Sequence, residues 1–177
     1  MTFDDAFTAF ETPNAKYFAA DLFEQSFRHP FPVPRDNCGL PIPTPPENWR
    51  QFVALYRWPD GRFETVGFCN WIRYGTVYLE GGMCVRAGFY RRLPRDHFKQ
   101  CSARGGVAQL MMEAAAAKLD DCDAWFGYCG DNKAFRVDYR VGYRPLETRY
   151  LIAKWFKDVP EMRKQELERE IAKIGPF

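Results

Sequence analysis

The chain has 177 residues, 46% of them hydrophobic and 27% charged, with a formal net charge of +2. Those values suit a single domain with one core, and they leave no run of like charge to bind nucleic acid or an anionic membrane. No apolar stretch reaches the ~18 residues of a membrane span, and the acidic start Met1-Thr2-Phe3-Asp4-Asp5 lacks a leader pattern, so a cytoplasmic protein is expected.

Taken in chain order, the first periodic segment is Asn14 to Phe27. Tyr17, Phe18, Leu22, Phe23 and Phe27 recur there at helical spacing. A proline-rich tract follows from Pro30 to Pro46, with seven of the thirteen prolines. Proline lacks an amide donor, so neither helix nor central strand fits. The interspersed Phe31, Val33, Leu40 and Ile42 favour an ordered loop pressed against the domain over a free linker.

Three strand-like runs come next: Gln51 to Trp58, Arg62 to Arg73 and Thr76 to Val85. Pro59-Asp60-Gly61 and Tyr74-Gly75 separate them as turns, which predicts an antiparallel meander. Gly81-Gly82 inside the third run weakens a strand but permits a bulge. Arg86 to Ser102 reads as irregular and basic. Arg104-Gly105-Gly106-Val107-Ala108 then opens a helix whose buried stripe is Val107, Leu110, Met111, Ala114 and Ala115.

Ala124 to Cys129 is a short apolar strand, and Asp131-Asn132 caps a further helix that ends near Gly142. Arg149 to Phe156 is the last strand. A C-terminal helix starts at Asp158, with Leu167, Ile171 and Ile174 on one face. This order predicts one α/β domain over residues 1–177 with a mixed, mostly antiparallel sheet. The N-terminal helix and proline-rich loop (1–47) and the C-terminal helix (158–177) pack on it.

The six cysteines, Cys38, Cys69, Cys84, Cys101, Cys122 and Cys129, include no close CxxC pair, and His29 and His97 complete no ligand set. Free buried thiols in a reducing compartment and no metal are expected. His97 is read as a surface residue.

Two segments carry chemistry. At Arg104 to Ala108, small residues and the unpaired amides of a helix start suit a pyrophosphate. The second segment, Asp131 to Tyr143, resembles the motif N-x-x-A-x-x-x-Y-x-x-x-G-[FY] of the GCN5-related N-acetyltransferase (GNAT) superfamily. Anchored on Ala134 and Gly142-Tyr143, the motif puts Asp131 at its Asn position and Asp138 at its Tyr position. Anchored instead on Asn132 and Tyr139, it keeps the Asn-to-Tyr spacing and leaves Ala134 and Gly142 one residue early. The first register keeps more of the motif. In the second, Tyr139 would be the acid that protonates the departing CoA thiolate. An aspartate at its ordinary pKa of about 4 is ionised at neutral pH, so Asp138 is expected to be a poor donor.

The resemblance extends over roughly Gln51 to Phe156. Met83-Cys84-Val85 stands at the end of the cofactor strand. Gly106 and Ala108 match the last fixed positions of Q/R-x-x-G-x-[GA], with Ala103 where Gln or Arg is usual and Arg104 beside it. An insertion from about Gly88 to Cys101 separates the two parts.

The resemblance implies acetyl-CoA as cosubstrate. Met83, Cys84 and Val85 would pair with pantetheine, and the amides of Ala103, Arg104, Gly105, Gly106, Val107 and Ala108 would hold the pyrophosphate. Asp131 and Asn132 would complete the cofactor-binding set. Glu80 is the carboxylate candidate for removing a proton from the amine, and Tyr139 and Asp138 are the acid candidates. The alternative is a GNAT fold used for binding or assembly without transfer. The acceptor amine is not readable, and a homodimer is compatible with the sequence.

Overall fold

The computed structural model describes residues 1–32 and 47–177. Most of the proline-rich tract, residues 33–46, lies outside the described residues. Phe31, at its start, is buried against Phe23 and Phe68.

Two elements precede the first predicted helix. Thr2 and Asp5 form a reciprocal capping box that starts α1 (Phe3–Ala6), a Thr-x-x-Asp signal readable in the sequence. β1 (Phe7–Glu11) follows and pairs antiparallel with β2 (Trp49–Arg57). Between them lies α2 (Ala15–Phe27), the predicted amphipathic helix.

The meander forms as expected. β2 pairs with β3 (Phe63–Tyr74), which pairs with β4 (Val77–Val85), both antiparallel. The segment Arg86 to Ser102 departs from the expected irregular loop. It contains α3 (Phe89–Arg92) and α4 (Arg95–Ala103), because Phe89, Leu93, His97 and Cys101 are buried, Phe89 against Tyr56 and Trp58 and His97 against Phe3. His97 is therefore not a surface residue: Nε2 donates to the Met1 carbonyl (3.0 Å) and Nδ1 bonds the Tyr56 hydroxyl (2.6 Å). The Phe3 amide also donates to Gln100 Oε1 at 2.9 Å, which ties α4 to α1.

The rest of the chain runs α5 (Val107–Ala116), β5 (Ala124–Tyr128), α6 (Asn132–Arg140), the two-residue β6 (Arg144–Pro145), β7 (Leu151–Trp155) and α7 (Glu161–Ile174). α7 starts three residues later than expected, after Pro160, which suits a first helical turn because its missing amide proton would have had no partner there. The sheet order is β1-β2-β3-β4-β5-β7-β6, antiparallel throughout except for the parallel pair β4–β5. It is a mixed, mostly antiparallel sheet flanked by helices.

Alternation along the strands splits the core in two. Phe52, Ala54, Tyr56, Trp71, Tyr78, Trp125 and Ile152 face the layer of α1, α4 and α5. Their neighbours turn to the other side, Val53, Phe68 and Cys84 towards α2, and Val77, Leu79, Phe126 and Ala153 towards α7. No described helix is long and apolar enough to cross a membrane. The five described cysteines are free thiols, four of them buried.

Candidate active site

The site begins where two strands part. β4 and β5 are paired only from Val77 to Leu79 and from Ala124 to Phe126. Beyond Leu79, β4 carries the bulge that Gly81-Gly82 foreshadowed. Cys69 pairs with Met83 and Trp71 with Glu80, so two residues of β4 oppose Asn70 alone. Gly82 has φ +124, a conformation side chains resist, and an added Cβ would stand 3.4 Å from the Phe27 ring. The bulge turns β4 away from β5 and leaves its outer backbone edge without a strand partner.

A cleft of about 320 Å³ fills the gap. Glu80, Gly82, Met83, Cys84 and Val85 of β4 form one wall, and Gly127, Tyr128 and Cys129 face them from β5 and the loop after it. Ala108 of α5 and Ala134, Val137 and Asp138 of α6 close one side of the sheet. Phe27 and Phe177 close the other.

Glu80 and Asp138 both line this cleft. Tyr143, fully buried, donates to Glu80 Oε2 at 2.8 Å. Burial, followed by the nearby Asp138 charge, pushes the Glu80 carboxyl up to about 8. Burial also raises the Asp138 carboxyl, opposed by a hydrogen bond from the Cys129 thiol. The Cys129 thiol itself is pushed up to about 12, mainly by burial and then by Asp138. Burial thus moves the proton affinity of Asp138 upward from its ordinary value.

The two registers of the α6 motif now separate by direction. Asp138 is 7% exposed and lines the cleft, whereas Tyr139 is 51% exposed on the outer face, with the Arg144 guanidinium 4.1 Å above its ring. Successive helix residues differ by about 100°, so only one of the pair can point inward. Asp131 is the N-cap, accepting from the Lys133 and Ala134 amides at 2.8 Å each, and Asn132 is exposed on the first turn.

The glycine-rich start of α5 is less open than its sequence suggests. The Arg104 amide donates to the Gln100 and Cys101 carbonyls, Gly105 to Ser102 (3.0 Å) and Gly106 to Cys101 (2.9 Å). The Val107 amide donates to the Tyr90 hydroxyl at 3.0 Å. Among the described residues, the amides of Ala108 and Gln109 are left without a protein partner. Ala103 ends α4, and Arg104 pairs with Asp4 on the surface. Of the residues expected to hold a cofactor, the structure thus brings Met83, Cys84, Val85 and Ala108 together in the cleft, keeps Gly106 and Val107 buried behind it, and places Ala103 and Arg104 outside.

Sequence reasoning did not assign Tyr90, Cys129, Phe27 or Phe177 to the site, and it counted Tyr143 only as the aromatic that closes a motif. The Gly142-Tyr143 pair was the one available signal.

No protein-family model matches the chain. No curated protein matches it either. Solved structures do. The Escherichia coli protein YhhK, described as an N-acetyl transferase and solved with coenzyme A bound, superposes with a TM-score of 0.54 at 14% identity, over 84% of this chain and 98% of that one. The ribosomal-protein-S18-alanine N-acetyltransferase of Escherichia coli gives 0.51 at 13% identity, over 88% and 97%. Nourseothricin acetyltransferase gives 0.50 at 12% identity, over 86% and 99%. With its β4–β5 splay, β4 bulge and flanking helices, the protein has the GCN5-related N-acetyltransferase fold.

Proposed function

We propose that the protein transfers an acetyl group from acetyl-CoA to an amine. The observation that carries this reading is the parting of β4 from β5 at Glu80, which opens an unpaired strand edge and a carboxyl pair to one cleft. The free edge at Met83 to Val85 suits the amides of a pantetheine arm, which would add to the sheet like a short strand. At the start of α5, the Ala108 and Gln109 amides suit the pyrophosphate. Tyr90 joins them, since its hydroxyl accepts from Val107 and keeps its own proton for an anion.

The chemistry follows from the carboxyl pair. Glu80, as carboxylate, takes a proton from the acceptor ammonium. The free amine attacks the thioester carbonyl, and the carbon–sulfur bond breaks. The surplus proton on the new amide nitrogen passes to the leaving thiolate, with Asp138 beside it as the group that relays it. The proton on Glu80 leaves to solvent. Free buried thiols support a reducing compartment such as the cytoplasm.

Thermal unfolding with CoA, acetyl-CoA and ATP side by side tests the cosubstrate. A ligand at a hundred times its Kd adds about 2.7 kcal/mol, so both CoA species should raise the Tm. Ala108→Glu, which sets a carboxylate beside those amides, should abolish the shift. No shift at millimolar CoA would remove this reading. A second reading, a GNAT fold used for binding or assembly without transfer, is favoured by the internal bonds that occupy the Arg104 to Val107 amides. It predicts no CoA release in the presence of any amine.

A further inference from the structure

The cleft passes between β4 and β5 from one face of the sheet to the other, and its two ends differ. The α5 and α6 end carries the free helix amides. At the opposite end stand three aromatic rings: Phe27 at the end of α2, Tyr128 at the end of β5, and Phe177 after α7. Phe177 meets Tyr128 edge-on, with ring centroids 5.3 Å apart. Phe27 is fixed from behind by Phe23, at 4.5 Å.

Between these rings and Ala108 lie Glu80 and Asp138. No Lys, Arg or His is among the described residues that line the cleft. Asp138 is more than nine-tenths buried and lines the cleft, where the neighbouring Cys129 thiol donates to the Asp131 carbonyl at 3.5 Å.

We infer that the acceptor is a hydrophobic amine, bound as its ammonium between Glu80 and Asp138 with its carbon skeleton against Phe27, Tyr128 and Phe177, and carrying no carboxylate beside the nitrogen. The inference rests on the acetyl-transfer reading for the word acceptor, and on the cleft lining for the ligand's chemistry. An ammonium in this cleft meets two carboxyls and the negative faces of aromatic rings, which attract cations most where water is excluded. An amino acid would bring its own carboxylate to the same place. That charge would lie against Glu80 and Asp138 with no cation in the described lining to pair it, an arrangement that costs affinity. A neutral amide in place of the carboxylate removes the penalty.

The test is ligand binding to the CoA-saturated protein, measured by calorimetry with four compounds of one skeleton: phenethylamine, phenylalaninamide, phenylalanine and 3-phenylpropionate. Phenethylamine and phenylalaninamide should bind at least tenfold more tightly than phenylalanine, and 3-phenylpropionate should not bind. Phe177→Ala, which removes a partly buried ring from the rim of the α7-side core, should weaken phenethylamine about tenfold and leave CoA affinity unchanged. Equal binding of phenylalanine and phenethylamine, no binding of any amine, or indifference to Phe177→Ala would each overturn the inference. CoA release is followed separately with a thiol reagent. Amine binding without CoA release would sink the acetyl-transfer reading while leaving the ammonium site standing.

Discussion

Two glycine pairs in this chain read alike and end up doing opposite things. Gly81-Gly82 lies within β4 and Gly105-Gly106 opens α5, and Gly82, Gly105 and Gly106 all take positive φ. At the first pair the chain uses that freedom to bend β4 outward, so backbone and the Glu80 carboxyl face a cleft. At the second pair it turns the amides inward, onto the carbonyls of Cys101 and Ser102. Tyr90, from the segment between Val85 and Gly105, then takes the Val107 amide as well. A glycine pair specifies a conformation, and the destination of the backbone donors decides whether that conformation binds anything. Chemistry should therefore depend on the bulge, and CoA affinity on the few amides and the hydroxyl left at α5.

The largest expected effect is at the bulge. Glu80→Gln should lower kcat for acetyl transfer a hundredfold or more with CoA affinity within twofold, as for a group that acts only in the proton-transfer step. A parallel loss of CoA affinity would show that the two regions are not separable.

The same carboxyl sets the next effect. Transfer needs Glu80 ionised, so kcat/KM should rise with pH through an inflection near 8. Stability should move the other way. The folded state holds the proton more tightly than the unfolded chain does, so the Glu80 contribution is full below its ordinary 4.5 and is lost as pH climbs to about 8. Denaturant titrations from pH 5 to 9 should show that decline in the parent and a flatter profile in Glu80→Gln. A flat parent profile would mean Glu80 is solvated.

At the other glycine pair, Tyr90→Phe should weaken CoA by about three- to tenfold and leave kcat unchanged, since it deletes one neutral donor and strands the Val107 amide. Tighter CoA binding in this variant would mean that Tyr90 competes with the cofactor for the Val107 amide.

Tyr139→Phe should have the smallest effect, less than twofold in kcat, because the ring lies under Arg144 outside the cleft. A hundredfold fall with CoA affinity intact would restore Tyr139 as the acid and displace Asp138.

Much of the scaffold was legible. The meander, the α5 stripe and the capped α6 follow from alternation, helical spacing and turn residues, all local properties. The inserted helices α3 and α4 were not, because Arg95 to Ala103 is polar on average and its few buried side chains, His97 and Cys101, reveal their partners only once α1 is in place. β1 was missed for a similar reason: five residues are too few for periodicity, and their pairing with β2 is what makes them a strand.

At the site, Glu80, Met83 to Val85 and Asp138 could be named from motif and bulge, but the state of the carboxyls could not. Burial raises the proton affinity of both, and at Glu80 the Asp138 charge adds to it while the hydrogen bond from Tyr143, 63 positions away, opposes it.

The sequence by itself determined the meander, the α5 and α6 helices, where the chain must bend between them and which register of α6 keeps the most motif residues, since each depends on neighbours within a turn or a hairpin. Only the tertiary structure decided that β4 leaves β5 at Glu80, that Asp138 rather than Tyr139 faces inward, and that Tyr90 occupies the first amide of α5. Those outcomes are contacts between segments distant in the chain. Their strength depends on how much water the packed fold excludes, a quantity no local pattern encodes.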